Sequence, residues 1–578
     1  RALSWSDISV LEIDRLAILK NRVLYLALAL VFIVLARKLS HRPVRDAART
    51  VHRLQGGPFR RGLLRAMPVL ALPVVIGCFL YADVRSGHEG KVWEKAAKDY
   101  WKENVRTYLD YPEPGIEHVD LKIHLMPDSG EVHSVGSYTL INHHDEPLQK
   151  ILFTGDYGWE DVSWTVNGQE FVPEDRSSLF VFEQDPPLQP GETLTIGFEF
   201  MNTVPKGISR NGGGPSEFIL PSGVVLTSFS PSFCPLPGFV EGVGVTKDNS
   251  ANAKEYEKNF YDGRTEPFVG ASNAFTSHIE VTVPEHMRAN SVGVLSEVRA
   301  EDGLKTWIWD SDYPIRFFNI VAGVYEKWEG EGTAIYYDKR HPYNVERIGQ
   351  ALDGARKYYS QWYAPYPWQE LRITEFPGIA YYAQGFPSNI SFSEQVGFLV
   401  KEEENGNAAF TVAAHEAAHQ WWANMLTPGE GPGGNVLSEG MAHFSTAMLI
   451  EAVLGDASRE AFMKRIENSY NEQRSVDNEK SLAWVDGTRP GDTTVQYDKG
   501  GWVFWMLRDL MGHDAMMEGI QAFIDHYRFG PDYPVIQDFT AFMRPYAPDA
   551  AAYDTFVDQW LYDVVVPEYK LSDITHAP

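Results

Sequence analysis

Cysteine is nearly missing from this chain: Cys78 and Cys234 are the two in 578 residues. One lies in an apolar run and the other in a polar region far downstream, so no disulfide framework is implied. Internal repeats and low-complexity tracts are also missing, which excludes a solenoid or a fibrous protein. No Walker-type glycine-rich segment is present. The stretch "NGGGPSE", 211–217, lacks the spacing and the strand-to-helix setting of a phosphate cradle, so an ATP-binding domain is excluded. Positive charge is scarce beyond residue 66. Residues 1–66 hold 13 Lys/Arg against 4 Asp/Glu, while the remainder holds 38 against 74, within a net charge of −27. Long apolar runs are confined to "VLYLALALVFIVLA", 23–36, and "AMPVLALPVVIGCFLYA", 66–82.

Those two runs are short against the ~20 residues that span a bilayer. Lys20 and Arg22 can snorkel, which extends the first run to about Leu16–Ala36. Pro68 and Pro73 are tolerated in a membrane helix. The connector, 37–65, is crowded with Lys/Arg and holds Asp46 as its one acid. By the positive-inside rule it is cytoplasmic, and everything after Tyr81 is extracytoplasmic. Buried soluble helices, or a basic patch for nucleic acid, are the competing readings. The position of the connector between two apolar runs favours the membrane, and no nucleic-acid partner is expected. An opening Arg1 in place of Met is the expectation for a processed or partial chain with more membrane helices upstream.

With 44% apolar and 13% aromatic residues, the rest reads as folded and multidomain α+β. Residues 83–114 suggest a helical stalk. From about 116 the period is two: "HVDLKIHL" alternates, "PDSGE" turns, and "EVHSVGSYTLIN" returns. "WTVNGQEF" carries an Asn-Gly hairpin signal. An antiparallel β-domain is expected over 115–330, and helices dominate over 331–578.

The chemistry concentrates in "TVAAHEAAHQWWANM", 411–425. No Gly or Pro interrupts 408–426, so a helix is expected there. His415 and His419 then share one face, close enough for two ring nitrogens to meet one zinc ion. Glu416 sits beside them as a base for a zinc-activated water. Downstream, "GPGGNVLSEGMAHFSTAML" breaks the chain and restarts a helix, with Ser438 as a candidate N-cap and Glu439 in the first turn. Glu439 completes a His, His, Glu ligand set with one position open. His443, one turn on, is expected to pack or to support a ligand. In "TTVQYDKGGWVFWML", 493–507, the hydroxyl of Tyr497 is a candidate oxyanion donor.

HEAAHQWW, then Glu439 in SEGMAHF, then Tyr497 in YDKG resemble the aminopeptidase N family of zinc metallopeptidases. The segments 358–371 and 556–569 add to the resemblance, which covers about 115–570. It implies a saddle-shaped β-domain followed by a thermolysin-like catalytic domain. It also implies zinc held by His415, His419 and Glu439, Glu416 as general base, and Tyr497 at the transition state. The family places eighteen residues between the second His and the Glu. Here nineteen intervene, Gln420–Ser438, and the extra one is expected in the loop "TPGEGPGG".

Relatives hold the free amine of the substrate with a Glu in a G-A-M-E-N segment. The matching stretch here, "YYAQGFPSNISFSE", puts Gly385 at that position, with Ala383 and Gln384 beside it as candidate substrate contacts. Relatives also use a Gln or Glu in the β-domain, where this chain has Ser228 and Ser230. Gln384 or Glu375 is a candidate replacement. A peptide substrate is expected without strict aminopeptidase specificity. The apolar N-terminal part resembles bacterial fusions of an ABC-transporter permease with such a peptidase. That resemblance implies a bacterial inner-membrane protein with its ATPase partners on separate chains. The competing expectation is a zinc-containing binding or structural domain of a transporter.

Overall fold

The computed structural model describes residues 5–39, 51, 56–204, 215–240, 256, 266–401, 407–528, 530 and 532–565. Most of the basic connector, the tip of the loop at 211–214 and the segment after 565 lie outside the described residues.

Two apolar helices open the chain, α1 (Arg15–Leu39) and α2 (Gly56–Ser86, with Pro68 and Pro73 inside). They pack on each other, and Lys20 near the start of α1 pairs with Asp83 near the end of α2, so they run antiparallel. Their flanks are bare of protein: Leu26, Phe32, Ile33, Leu64, Val74 and Phe79 are all exposed. Such a continuous apolar surface is not expected to face water.

Helix α3 (Lys91–Tyr108) is the charged segment read as a stalk, and it does not stand free. Its face of Ala97, Tyr100, Asn104 and Tyr108 is buried. Tyr100 packs with Leu152, Leu179, Val181 and Phe239 of the β-domain. The Tyr100 hydroxyl lies 2.7 Å from Thr154 Oγ1, and the Asn104 amide donates to the Arg176 carbonyl at 2.9 Å.

The β-domain is built on an eight-stranded sheet. Its spatial order is Val294–Glu301, Leu304–Asp310, Thr276–Pro284, Gly115–Met126, Glu131–Ile141, Thr193–Thr203, Glu160–Val166 and Gln169–Phe171. Gly115–Met126 pairs parallel with Thr276–Pro284 and antiparallel with Glu131–Ile141. Alternation decides which face is buried: Val119, Leu121, Ile123 and Leu125 enter the core while their neighbours face outward. Asn167 and Gly168 both have positive φ between Glu160–Val166 and Gln169–Phe171, as a two-residue hairpin requires.

The second core belongs to a five-stranded sheet packed with helices. Its order is Glu326–Glu329, Thr333–Tyr337, Leu371–Phe376, Asn389–Ser393 and Ala383–Phe386. The hairpin strand Ala383–Phe386 is the edge that borders the candidate site. Helices α4 (Val345–Trp362), α5 (Ala408–Ala418), α6 (Met441–Leu454), α7 (Asp456–Gln473) and α8 (Gly500–Met511) surround it.

A strap of residues 5–14 precedes α1 and docks on this sheet. The backbone N–H groups of Asp7 and Ile8 donate to the two carboxylate oxygens of Glu394 at 2.8 and 3.0 Å. His341 lies between Glu375 (2.6 Å from Nδ1) and Asp7 (3.1 Å from Nε2). His341, Glu375 and Glu394 are close enough to cup a cation. The carboxylate oxygens of Glu375 and Glu394 are already matched to N–H donors, and both ring nitrogens of His341 face carboxylates, so the cluster works as a hydrogen-bonded clasp. Glu375 is consumed there and does not reach the candidate site.

Candidate active site

Helix α5 is alanine-rich because it is buried on nearly every side; Ala413, Ala414, Ala417 and Ala418 are wholly enclosed. It delivers His415 and Glu416, and it ends at Ala418 with His419 as its last, capping residue. The helix expected through 426 therefore stops early. Beyond it the amides of Asn424, Met425 and Leu426 bond five residues back, to His419, Gln420 and Trp421. That wider turn brings the Trp422 carbonyl within 3.0 Å of His419 Nδ1. A ring whose Nδ1–H donates there keeps its Nε2 lone pair free for a metal.

Glu439 arrives on a π-type turn, Val436–Gly440, that runs straight into α6. Ser438 is not a helix cap: its hydroxyl donates to the Trp422 carbonyl at 3.2 Å, and it lies 3.4 Å from His419 Nδ1. Tyr497 sits on a second π-type turn, Val495–Lys499, ahead of α8. The two turns touch glycine to glycine. A Cβ on Gly440 would lie 3.3 Å from the Gly500 Cα, and one on Gly500 would lie 3.1 Å from the Gly440 Cα. This close approach is what sets Glu439 and Tyr497 side by side.

The ligand candidates converge. His415 Nε2 is 3.0 Å from Glu439 Oε2, His419 Nε2 is 3.3 Å from the same oxygen, and the two Nε2 atoms are 3.2 Å apart. Ligand atoms ~2.0–2.1 Å from a tetrahedral zinc lie roughly 3.3 Å from one another. Two imidazoles and one carboxylate at this spacing fit zinc. Like groups this close need a shared cation or proton. Burial alone works to raise Glu439 and lower His419. Their mutual attraction outweighs it, holding the Glu439 carboxyl well below its usual range and lifting His419 to about 9.

Around the ligands sit the other groups. Burial raises the Glu416 carboxyl, with His415 and His419 opposing the shift; the Gly385 amide also donates to it. Burial and the neighbouring Glu439 raise Tyr497, so its hydroxyl stays protonated. The Tyr497 ring stacks on His415, with centroids 5.8 Å apart. His443 Nδ1 lies 3.1 Å from His415 Nδ1 and supports that ring. Burial and His415 hold His443 well below the ordinary histidine range, so it is neutral and can accept the His415 Nδ1–H.

These groups line a cleft of about 380 Å³. Ala383, Gln384 and Gly385 form one wall of it, tied to the ligand helix by the side chains that follow HEAAH. Gln420 bonds to the Ser388 amide and the Phe386 carbonyl, each at 2.9 Å, and Asn424 donates to the Gly385 carbonyl at 3.0 Å. Among the described residues lining the cleft, Glu416 and Glu439 are the only carboxylates. Ser228 lines a neighbouring cavity, while the Ser230 hydroxyl is taken by Glu217. Sequence reasoning missed Arg465, which lines the cleft from α7. Its helix offers no motif, so nothing local marks it.

Residues 343–560 match the model of the peptidase family M1 domain. That stretch contains every described residue lining the cleft except Phe268, Val269 and Phe317. The match covers less than half of the chain, and the three converging side chains within it are a donor set that fits zinc. Aminopeptidase N of Lactobacillus helveticus is 23% identical over 217 residues, covering 35% of this chain and 25% of that protein. The match thus spans about a quarter of that relative's length. A crystal structure of an M1 zinc metallopeptidase from Deinococcus radiodurans shares the fold, with a TM-score of 0.58 and 17% identity, over 81% of this chain and 98% of that one. A mutant of that metallopeptidase bound to the tripeptide Tyr-Ser-Ala gives a TM-score of 0.56 at 16% identity, over 79% of this chain and 97% of that one.

Proposed function

We propose that the chain is a membrane-tethered zinc peptidase whose cleft hydrolyses peptide bonds without demanding a free N-terminus. The observation that carries this reading is the convergence of Glu416 and Tyr497 on the His415–His419–Glu439 cluster within one cleft. Zinc held by those three residues would polarise the scissile carbonyl and acidify a water. Glu416 takes the proton from the attacking water and passes it to the leaving amine. Its raised proton affinity, in a buried setting, suits that shuttle. The Tyr497 hydroxyl, kept protonated by its surroundings, donates to the carbonyl oxygen as charge builds there. His443 and the Trp422 carbonyl hold the two ligand rings in the required tautomers.

A purely binding or structural domain of a transporter is the second reading. The absence of a third carboxylate from the described cleft wall favours it. The intact base and hydroxyl oppose it, since a binder needs neither. A peptide-library digest with the zinc-loaded protein tests the choice. Glu416→Gln should keep zinc and lose 10²- to 10⁴-fold in rate, roughly what removing a general base costs. Tyr497→Phe should lose about 10²–10³. Wild-type cleavage rates in both variants would leave the binding reading standing.

The membrane tether rests on α1 and α2, which are long and apolar enough to cross and are nearly bare of protein. The strap before α1 and helix α3 after α2 both bond to the folded domains, which supports a hairpin whose basic turn lies on the far, cytoplasmic side. The peptidase portion of an ABC-transporter permease, with ATPases on other chains, is the role this arrangement suits. A cysteine introduced at Ser40 should resist an impermeant thiol reagent on intact cells. Strong labelling there would reverse the topology.

A further inference from the structure

The two walls of the cleft differ in charge. Gln384 and Gly385 border Glu416 and His419 on one side, and neither carries a charge. On the other side His443 packs against both Tyr497 and Phe462, with centroids 5.4 and 5.8 Å away. One helical turn from Phe462, on α7, Arg465 brings a guanidinium to the cleft lining. The wall that would receive an ammonium is therefore neutral, and the opposite wall carries a cation.

Arg465 is exposed at its surface and packs on the face of Phe462, 5.2 Å from the ring centroid. Burial of its guanidinium lowers its pKa, Asp498 attracts it from beyond ion-pair distance, and no hydrogen bond from it to a described residue is seen. The other basic side chains of α7 do have carboxylates: Arg459 reaches Glu451 at 3.5 Å, and Lys464 reaches Glu467 at 3.0 Å. The nearby Asp498 is turned to Thr494 and Ser469 and lies 3.7 Å from His443. In a chain with 78 acidic residues against 51 Lys/Arg, a cleft guanidinium whose nearest carboxylate, Asp498, is spent on Thr494 and Ser469 keeps its N–H donors open to an anion. A guanidinium is planar and forked, and it takes a carboxylate through two parallel N–H donors.

We infer that Arg465 determines specificity by receiving a carboxylate of the substrate on the Tyr497 side of the scissile bond. This rests on the peptidase reading above. The carboxylate has two possible sources, the C-terminus of a short peptide or the side chain of an Asp or Glu. The cleft would then select its substrate by a negative group beyond the cleaved bond instead of by a positive group before it.

The test uses the full, zinc-loaded chain and matched peptide pairs. One arm compares free with amidated C-termini; the other compares Asp with Asn and Glu with Gln near the cleaved bond. In one arm the wild type should favour the carboxylate by about 10- to 100-fold in kcat/KM, the worth of a charge-assisted pair. Arg465→Gln should bring that ratio toward one, and Arg465→Lys should restore part of it. Zinc content should not move, and the melting temperature should move little, because the guanidinium makes no hydrogen bond to a described residue and touches none of the zinc-binding candidates. The same pairs are titrated calorimetrically into Glu416→Gln, with and without Arg465→Gln. That readout keeps the two readings apart, since a carboxylate preference in binding supports Arg465 even if the wild type cleaves nothing. Equal handling of both members of every pair, in cleavage and in binding, overturns the inference. So does a preference that survives Arg465→Gln unchanged.

Discussion

Gly385 lies directly against the main chain of Glu416. A Cβ at Gly385 would come within 2.6 Å of the Glu416 carbonyl oxygen and 3.0 Å of the His419 Cβ. The position that the family resemblance aligns with an amine-holding Glu is thus closed to a side chain in this register. Gly385→Ala should therefore press strand Ala383–Phe386 away from α5. Overpacking of this kind costs about 1–3 kcal/mol. Denaturant melts should register that loss, together with weaker zinc retention, and an unchanged midpoint would show that the strand yields freely.

The metal follows from the three converging ligands. One zinc per chain is expected, and His419→Ala or Glu439→Ala should abolish it in metal analysis. Removing a group that orients a ligand typically costs 10- to 100-fold in affinity. His443→Phe should behave in this way, keeping the stoichiometry while losing zinc to a weaker chelator. Full zinc in His419→Ala would refute the ligand set.

Selectivity for free N-termini should be weak. Charge-assisted hydrogen bonds to an ammonium are worth ~1.5–3 kcal/mol each, and no spare carboxylate lines the described wall to make them. Acetylated and free forms of one peptide should be cleaved at comparable rates. A preference for the free amine above about a hundredfold, ~2.7 kcal/mol, would mean that an acid outside the described lining serves the amine.

The strap should release with rising pH. His341 faces Glu375 of the sheet, Asp7 of the strap and, nearby, Glu394, with Asp338 and Arg340 beside it. Burial alone would lower His341, but these acids lift it to about 9 from an ordinary 6.5. A folded value above the unfolded one means stabilisation that is full below about 6.5 and lost as pH climbs through about 9. The melting temperature of His341→Gln should fall short of wild type at pH 6, and the gap should close above pH 9. A gap that stays constant with pH would assign His341 a packing role alone.

Local patterning carried much of this architecture. The alternation through Val119, Leu121, Ile123 and Leu125 oriented the first strand, and the Asn167–Gly168 pair marked the hairpin of Glu160–Val166 with Gln169–Phe171, because both depend on neighbours in the chain. The HEAAH spacing put two histidines on one helical face for the same reason. The early end of α5 at Ala418 was not legible, since the Trp422 carbonyl that draws the chain into a wider turn becomes a partner only after His419 is in position. Ser438 reads as a cap from its neighbours, yet it bonds across to the Trp422 carbonyl. Glu375 and Arg465 show the limit from both directions. One looks available in the sequence and is consumed by a buried clasp, and the other looks like an ordinary helical arginine and lines the cleft with its N–H donors open. Sequence by itself determined which groups are present and which local conformations they prefer. Whether a charge is matched or left open to a ligand was decided by the tertiary structure alone, because its partners come from segments far apart in the chain.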